Sequence, residues 1–148
     1  MLLCGLPGSG KTTVARQLER DLDAVRFCPD EWMAALGIDL FDQTSRARIE
    51  VIQWELAQRL LRCGAVVVIE WGLWTRAERD ALRESARQLG VPVELRSLAA
   101  PLDVLWQRVR DRVADPAWAD VPLTYEHLAE YEAMFEPPDD GELSGYDA

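Results

Sequence analysis

The chain opens on Met1-Leu2-Leu3-Cys4-Gly5-Leu6-Pro7-Gly8-Ser9-Gly10-Lys11-Thr12-Thr13. Gly5 to Thr12 satisfies G-x-x-x-x-G-K-[ST], whose successive backbone N–H groups form a nest for phosphate oxygens. In that arrangement the lysine reaches the β/γ oxygens and the threonine hydroxyl ligates Mg²⁺. The motif needs a strand before it and a helix after it. Met1 to Cys4 reads as a short buried strand, and Thr12 to Leu22 places Val14, Ala15, Leu18 and Leu22 at helical spacing. Lys11 is the only lysine in the chain, every other basic residue being arginine. Gly5, Gly8, Ser9, Gly10, Lys11, Thr12 and Thr13 are therefore the candidate nucleotide-binding residues.

Working outward, 148 residues suffice for one domain with one core. Residues 1–136 form that domain and 137–148 an acidic C-terminal tail. The net charge of −10 originates entirely after residue 114, where ten acids meet no lysine or arginine. Such a single-signed segment reads as solvated or loosely ordered. It argues against long nucleic acid as a partner, while a local arginine cluster still leaves room for one phosphate-bearing 5′ end. Cys4, Cys28 and Cys63 lie in or beside apolar runs and read as small core residues. No run of eighteen apolar residues exists, and the phosphate loop follows the N-terminus too closely for a signal peptide, so the expectation is a soluble, cytoplasmic protein.

Strand candidates at Met1–Cys4, Ala24–Cys28, Ala65–Glu70 and Val91–Leu98 alternate with helical segments, the pattern of a mostly parallel α/β sheet covered on both faces. One helix runs from about Thr44 to Cys63 with Ile49, Ile52, Leu56 and Leu60 as its buried side, closed by Gly64. Thr75-Arg76-Ala77-Glu78 is a capping box for a helix closed by Gly90. Pro101 opens another with Leu102, Leu105, Trp106, Val109 and Val113 inward, and Thr124 caps a last one to Phe135. The proline-containing stretch at about 114–122 reads as a lid that shuts out water. The first strand starts at Met1 and no apolar run after Phe135 makes a fifth strand. Either the fold is trimmed or edge residues are missing.

Ligands of open parallel sheets sit beyond the carboxyl ends of the strands. Asp30, after the second strand, is a candidate base for an attacking hydroxyl and equally a candidate N-cap for a helix starting at Glu31. Glu70, ending Val66-Val67-Val68-Ile69, is where such a sheet places an acid that orients Mg²⁺, or simply the first solvated residue after the strand. Arg108 and Arg112 share a helix face and are candidates to neutralise transition-state charge, the alternative being complementarity to the helix dipole. Trp32, Trp71 and Trp74 flank these acids and offer flat faces to an acceptor. Arg76 and Arg79 would hold a negatively charged acceptor or serve as solvated partners for Glu78 and Asp80. His127 reads as a surface residue.

With Gly5–Thr13, Pro29-Asp30-Glu31, Val66–Gly72 and the arginines of Val104–Arg112 assembled, the chain resembles the P-loop kinases related to zeta toxins, chloramphenicol phosphotransferase, gluconate kinase and polynucleotide kinase. That resemblance implies a three-layer α/β/α sandwich of four or five strands, similar to nucleoside and shikimate kinases. It implies ATP and Mg²⁺ as cofactors and transfer of the γ-phosphoryl group to a hydroxyl of a small molecule. A polynucleotide or nucleoside 5′-hydroxyl is the alternative acceptor. Residue by residue it implies Lys11 and Thr12 on phosphates and metal, Asp30 as base, Glu70 on metal or acceptor, and Arg108 and Arg112 as lid arginines. The rival is a nucleotide-binding regulatory ATPase without an acceptor. Its GTP form is disfavoured, since an Asn-Lys-x-Asp guanine reader is impossible in a chain without asparagine.

Overall fold

The structure is a computed structural model that describes residues 1–112 and 123–147. Four short strands, β1 (Leu2–Cys4), β2 (Val25–Phe27), β3 (Val67–Gly72) and β4 (Leu95–Ser97), form one sheet in the order β2-β3-β1-β4. Every neighbouring pair is parallel, with Phe27 opposite Ile69, Leu2 opposite Ile69 and Leu2 opposite Leu95. The helices are α1 (Lys11–Asp21), α2 (Pro29–Ala35), α3 (Gln43–Arg62), α4 (Arg76–Gln88), α5 (Leu102–Arg112), α6 (Tyr125–Met134) and α7 (Asp140–Leu143).

Strand periodicity divides the core. Leu2, Cys4, Phe27, Val67 and Ile69 project to one face, where they meet Ala57 of α3 and Leu82 and Ala86 of α4. Their neighbours Leu3 and Val68 project to the other, against Ala15 and Leu18 of α1. A third cluster joins Leu6 to Leu105 and Val109 of α5 and Leu128 of α6. The result is the expected three-layer sandwich. The central strands β1 and β3 are buried, each enclosed aliphatic side chain contributing about 1.5–3 kcal/mol, while the edge strands β2 and β4 are partly exposed. Local signals behave as read: Thr75 and Glu78 complete their capping box, and Gly64 and Gly90 follow α3 and α4 with left-handed backbone.

Four expectations need correction. The buried side of α3 is Ile49, Gln53 and Ala57, whereas Ile52 and Leu56 are exposed. Apolar residues surround this helix, so spacing alone does not fix its phase, and the buried Gln53 is held by accepting the Trp71 indole N–H at 2.9 Å. Asp30 is not an N-cap: α2 begins at Pro29, after Cys28, and Asp30 sits in its first turn. Cys63 is exposed, unlike Cys4 and Cys28. Finally, the acidic tail is not simply solvated. Glu142 is 2% exposed, Val93 N–H donates to the Asp147 carboxylate at 2.7 Å, and Arg87 donates to the Gly145 carbonyl at 2.6 Å. An acidic segment folds back because α4 offers it arginines. Val113 and the expected lid at 114–122 lie outside the described residues.

Candidate functional site

β1 lies between β3 and β4 although β2 follows it in sequence, so the chain's path reverses beside the end of β1 and leaves a crevice there. The phosphate loop fills the mouth of that crevice. Gly5 (φ 146°) donates its N–H to the Gly72 carbonyl at 3.0 Å, and a Cβ there would stand 2.3 Å from the Leu98 carbonyl oxygen. At Gly8 (φ 82°) a Cβ would meet the Leu105 carbonyl oxygen at 2.7 Å. Both positions demand glycine, for conformation and for close approach of backbone. Arg108 reinforces the loop from α5 by donating to the Gly8 carbonyl at 3.3 Å.

Lys11 opens α1 and turns back into the loop, donating to the carbonyls of Gly5 (2.8 Å) and Leu6 (3.0 Å). Burial lowers its pKa to about 8, against the pull of the Glu70 and Asp30 carboxylates, with Arg112 adding to the lowering. Thr12 Oγ1 donates to Glu70 Oε1 at 2.5 Å. The other Glu70 oxygen accepts from Arg26 at 2.8 Å, and Arg26 also forks onto Glu31 at 2.7 and 2.8 Å. Ser9 Oγ is buried with no partner among the described residues.

Beyond the loop opens a cavity of about 580 Å³. Gly8, Gly10, Lys11, Thr12, Glu70 and Arg112 line its phosphate end. Asp30, Arg46, Glu50, Glu78, Phe41, Trp71, Trp74 and Tyr131 line the remainder, with Leu40, Leu123 and Met134. Arg46 holds the Asp30 carboxylate in an ion pair and donates to the Leu40 carbonyl at 3.3 Å. Trp74 packs on Tyr131 with ring centroids 4.7 Å apart. Next along that wall, His127 stacks on Tyr131, accepts the Thr124 N–H in the cap of α6 and lies near Phe41. His127 is thus a half-buried capping residue.

The structure brings Lys11, Thr12, Asp30, Glu70, Trp74 and Arg112 to one cavity. Trp32 instead packs on Phe27 at 6.4 Å, in the core beneath α2. Arg76 faces Asp80 and Asp139, its backbone N–H bonded to Glu136. Arg79 is fully buried away from the cavity, donating to Glu142 at 2.6 and 2.9 Å and to the carbonyls of Leu73 and Trp74. Thr13 is exposed on the first turn of α1. Sequence reading passed over Arg26, Arg46, Glu50 and Tyr131. A charged residue between Val25 and Phe27, inside a strand, was the available signal for Arg26, since buried charge requires a partner.

Glu50 carries a further consequence. Burial, with Glu78 and Asp30 nearby, raises its pKa from 4.5 to about 7, although Arg46 pulls the other way. The fold therefore favours its protonated form. That contribution is present at acid pH and is lost as pH rises from the unfolded value through about 7. Glu50→Gln abolishes this slope, so the melting temperature of the variant should gain on wild type between about pH 5 and about pH 8. Parallel melting curves across that range would contradict the assignment.

A nucleotide and its metal fit these residues. Among the described residues no group of three or more His, Cys, Asp or Glu side chains could hold an ion. A hard ion beside Thr12 and Glu70 would therefore complete its shell with phosphate oxygens and water, as Mg²⁺ does. The glycine-lined cradle and the Ser9 hydroxyl, buried without a partner among the described residues, fit a phosphate group.

Loop, parallel sheet and cavity together define a P-loop kinase-like domain. The profile of the AAA domain family matches residues 1–138, and the chain belongs to that family. Among solved structures it is similar to a gluconokinase from Sinorhizobium meliloti 1021 (22% identity, 94% of this chain and 75% of that one, TM-score 0.64). It is also similar to Kti12 from Chaetomium thermophilum in complex with ADP-AlF3 (20%, 93% and 80%, TM-score 0.71). A third similar structure is a chain of the Pnkp1/Rnl/Hen1 RNA repair complex (19%, 99% and 45%, TM-score 0.72). Comparison by sequence with curated proteins finds no significant match. No described helix is long and apolar enough to cross a membrane.

Proposed function

We propose that the protein is an ATP-dependent phosphotransferase that moves the γ-phosphoryl group to a hydroxyl of a small molecule. The observation that carries this reading is the shared cavity: the phosphate loop stands at one end, and a carboxylate fixed by an arginine stands in its wall. A cavity of about 580 Å³ with aromatic walls is of the size and character that receives a second reactant. A nucleotide switch would need only the loop.

In the proposed reaction, backbone N–H groups of Gly8 to Thr12 and the Lys11 ammonium hold the phosphates, with Arg112 and Arg108 near the same end. Thr12 and Glu70 would hold Mg²⁺, which would supply neutralisation of the charge that develops on the phosphates. Arg26 fixes Glu70 from behind and leaves one oxygen turned toward Thr12. Asp30 takes the proton from the acceptor hydroxyl, and Arg46 keeps the carboxylate oriented for it. The apolar side chains Leu40, Leu123 and Met134 limit competition from water. The likeness to the gluconokinase supports a small hydroxyl-bearing acceptor, and the likeness to the RNA repair complex keeps a 5′-hydroxyl as the alternative. We place the reaction in the cytoplasm, where ATP is available.

Asp30→Asn separates the roles. Transfer should fall by about 10²–10⁴-fold, while Mg·ATP affinity, measured by calorimetry, stays at the wild-type value. Equal loss of both would remove Asp30 from the role of base.

A further inference from the structure

The acceptor half of the cavity is unusual in its charge. Three carboxylates, Asp30, Glu50 and Glu78, line it against one guanidinium, Arg46, which is already paired with Asp30. Glu50 takes part in no hydrogen bond or ion pair among the described residues, and the Glu78 carboxylate accepts only the Thr75 backbone N–H, while Glu78's own N–H donates to the Thr75 hydroxyl. The two arginines that an anionic acceptor would need lie elsewhere: Arg76 on Asp80 and Asp139, Arg79 on Glu142. Around the carboxylates stand the rings of Trp71, Trp74, Tyr131 and Phe41. Ring faces attract cations, most strongly where water is displaced. A phosphate-bearing or carboxylate-bearing acceptor would meet the Glu78 carboxylate here, keep Glu50 protonated, and find among the described residues of this half no cation but Arg46, already paired with Asp30.

From this juxtaposition we infer that the acceptor is an amine-bearing hydroxyl compound, an amino sugar or amino alcohol, whose ammonium group sits among Glu50, Glu78 and the aromatic wall while its hydroxyl faces Asp30. The inference rests on the phosphotransferase reading above. The acceptor hydroxyl oxygen forms the new bond to the γ-phosphorus and the bond from that phosphorus to the β–γ bridging oxygen breaks. Its electron pair leaves on ADP, and the hydroxyl proton passes to Asp30 and then to water. The products are the phosphate monoester of the amine and ADP. Glu50, with its raised pKa, gains its full negative charge when a cation arrives beside it, which couples binding of the amine to release of a proton.

The test uses the full chain with Mg²⁺ and γ-labelled ATP against matched acceptors: glucosamine, N-acetylglucosamine and glucose; kanamycin and its per-N-acetylated form; and a nucleoside 3′-monophosphate with a free 5′-hydroxyl. The amines should exceed their acetylated or neutral partners by about tenfold or more in kcat/KM, the scale of one cation–π contact with a carboxylate. Glu50→Gln and Glu78→Gln, each checked for folding by circular dichroism, should narrow that ratio through KM. Label on neutral or phosphorylated acceptors at equal or higher efficiency overturns the amine assignment and leaves the phosphotransferase reading standing, as does a ratio insensitive to both variants. Label on no acceptor, with ATP binding intact and dependent on Lys11, overturns the phosphotransferase reading itself.

Discussion

Replacing Glu142 by alanine is expected to lower the unfolding free energy by about 3–5 kcal/mol, because it leaves a buried guanidinium without its counter-charge. Arg79 is fully enclosed and Glu142 is 2% exposed, and the pair is joined by two parallel bonds of 2.6 and 2.9 Å. Burial alone would lower the Arg79 pKa, and the Glu142 carboxylate more than reverses that, raising it. The remaining donor binds the carbonyls of Leu73 (3.0 Å) and Trp74 (3.2 Å). Leu73 has φ 48°, a left-handed conformation that costs a leucine on the order of 1 kcal/mol or more and persists only when its surroundings enforce it. This turn follows Trp71 and Gly72 and delivers Trp74 to the cavity wall. Loss of Glu142 should therefore raise the acceptor KM as well as lower stability, with a smaller effect on ATP affinity. Urea unfolding of Glu142→Ala and of the double variant Arg79→Met/Glu142→Leu reads the pair directly. The double variant should recover most of the loss, since replacing both ions with apolar groups removes the unpaired charge. A loss below about 1 kcal/mol in the single variant would reduce the pair to the energetic class of surface contacts.

The second large effect belongs to Lys11. Lys11→Met keeps the stem and removes the ammonium, and turnover should fall by about 10²–10³-fold or more, the scale of losing one preorganised charge at a reacting phosphoryl group. Mg·ATP binding should weaken in parallel, because the same ammonium serves the ground state. The variant also strands the Gly5 and Leu6 carbonyls that Lys11 now binds, so thermal melting should accompany the kinetics. Unchanged ATP affinity and turnover in a folded variant would contradict the loop's assigned role.

How much of this was legible beforehand follows from the range of each interaction. The loop, its strand and its helix are local, and so are the capping box at Thr75 and the glycines that end α3 and α4; sequence spacing carries all of them. The parallel pairing followed from alternation with helices, whereas the order β2-β3-β1-β4 is set by long-range packing that alternation does not specify. What escaped reading was long in range. Arg26 reaches Glu70 across 44 positions and Arg79 reaches Glu142 across 63, and no local pattern pairs them. The same distance hides both the partner of Arg79, which sequence offers either to an acceptor or to Glu78 and Asp80, and the docking of the acidic tail. Arg46 and Glu50 sit on α3, whose apolar residues occur all round, so spacing does not mark its inward face, which carries Gln53 bonded to Trp71. Trp32 shows the limit in reverse, since closeness in sequence to Asp30 did not bring it to the cavity.

The central claim is that this chain transfers a phosphoryl group and does not merely bind a nucleotide. The most direct measurement follows the γ-label of ATP, in the presence of Mg²⁺, into pooled amino sugars, neutral sugars, nucleosides and 5′-hydroxyl oligonucleotides. Labelled monoester from wild type and none from Asp30→Asn is the predicted result. Bound ATP that stays intact, or label recovered only as free phosphate with every pool, would contradict it and make the protein a nucleotide-binding regulator.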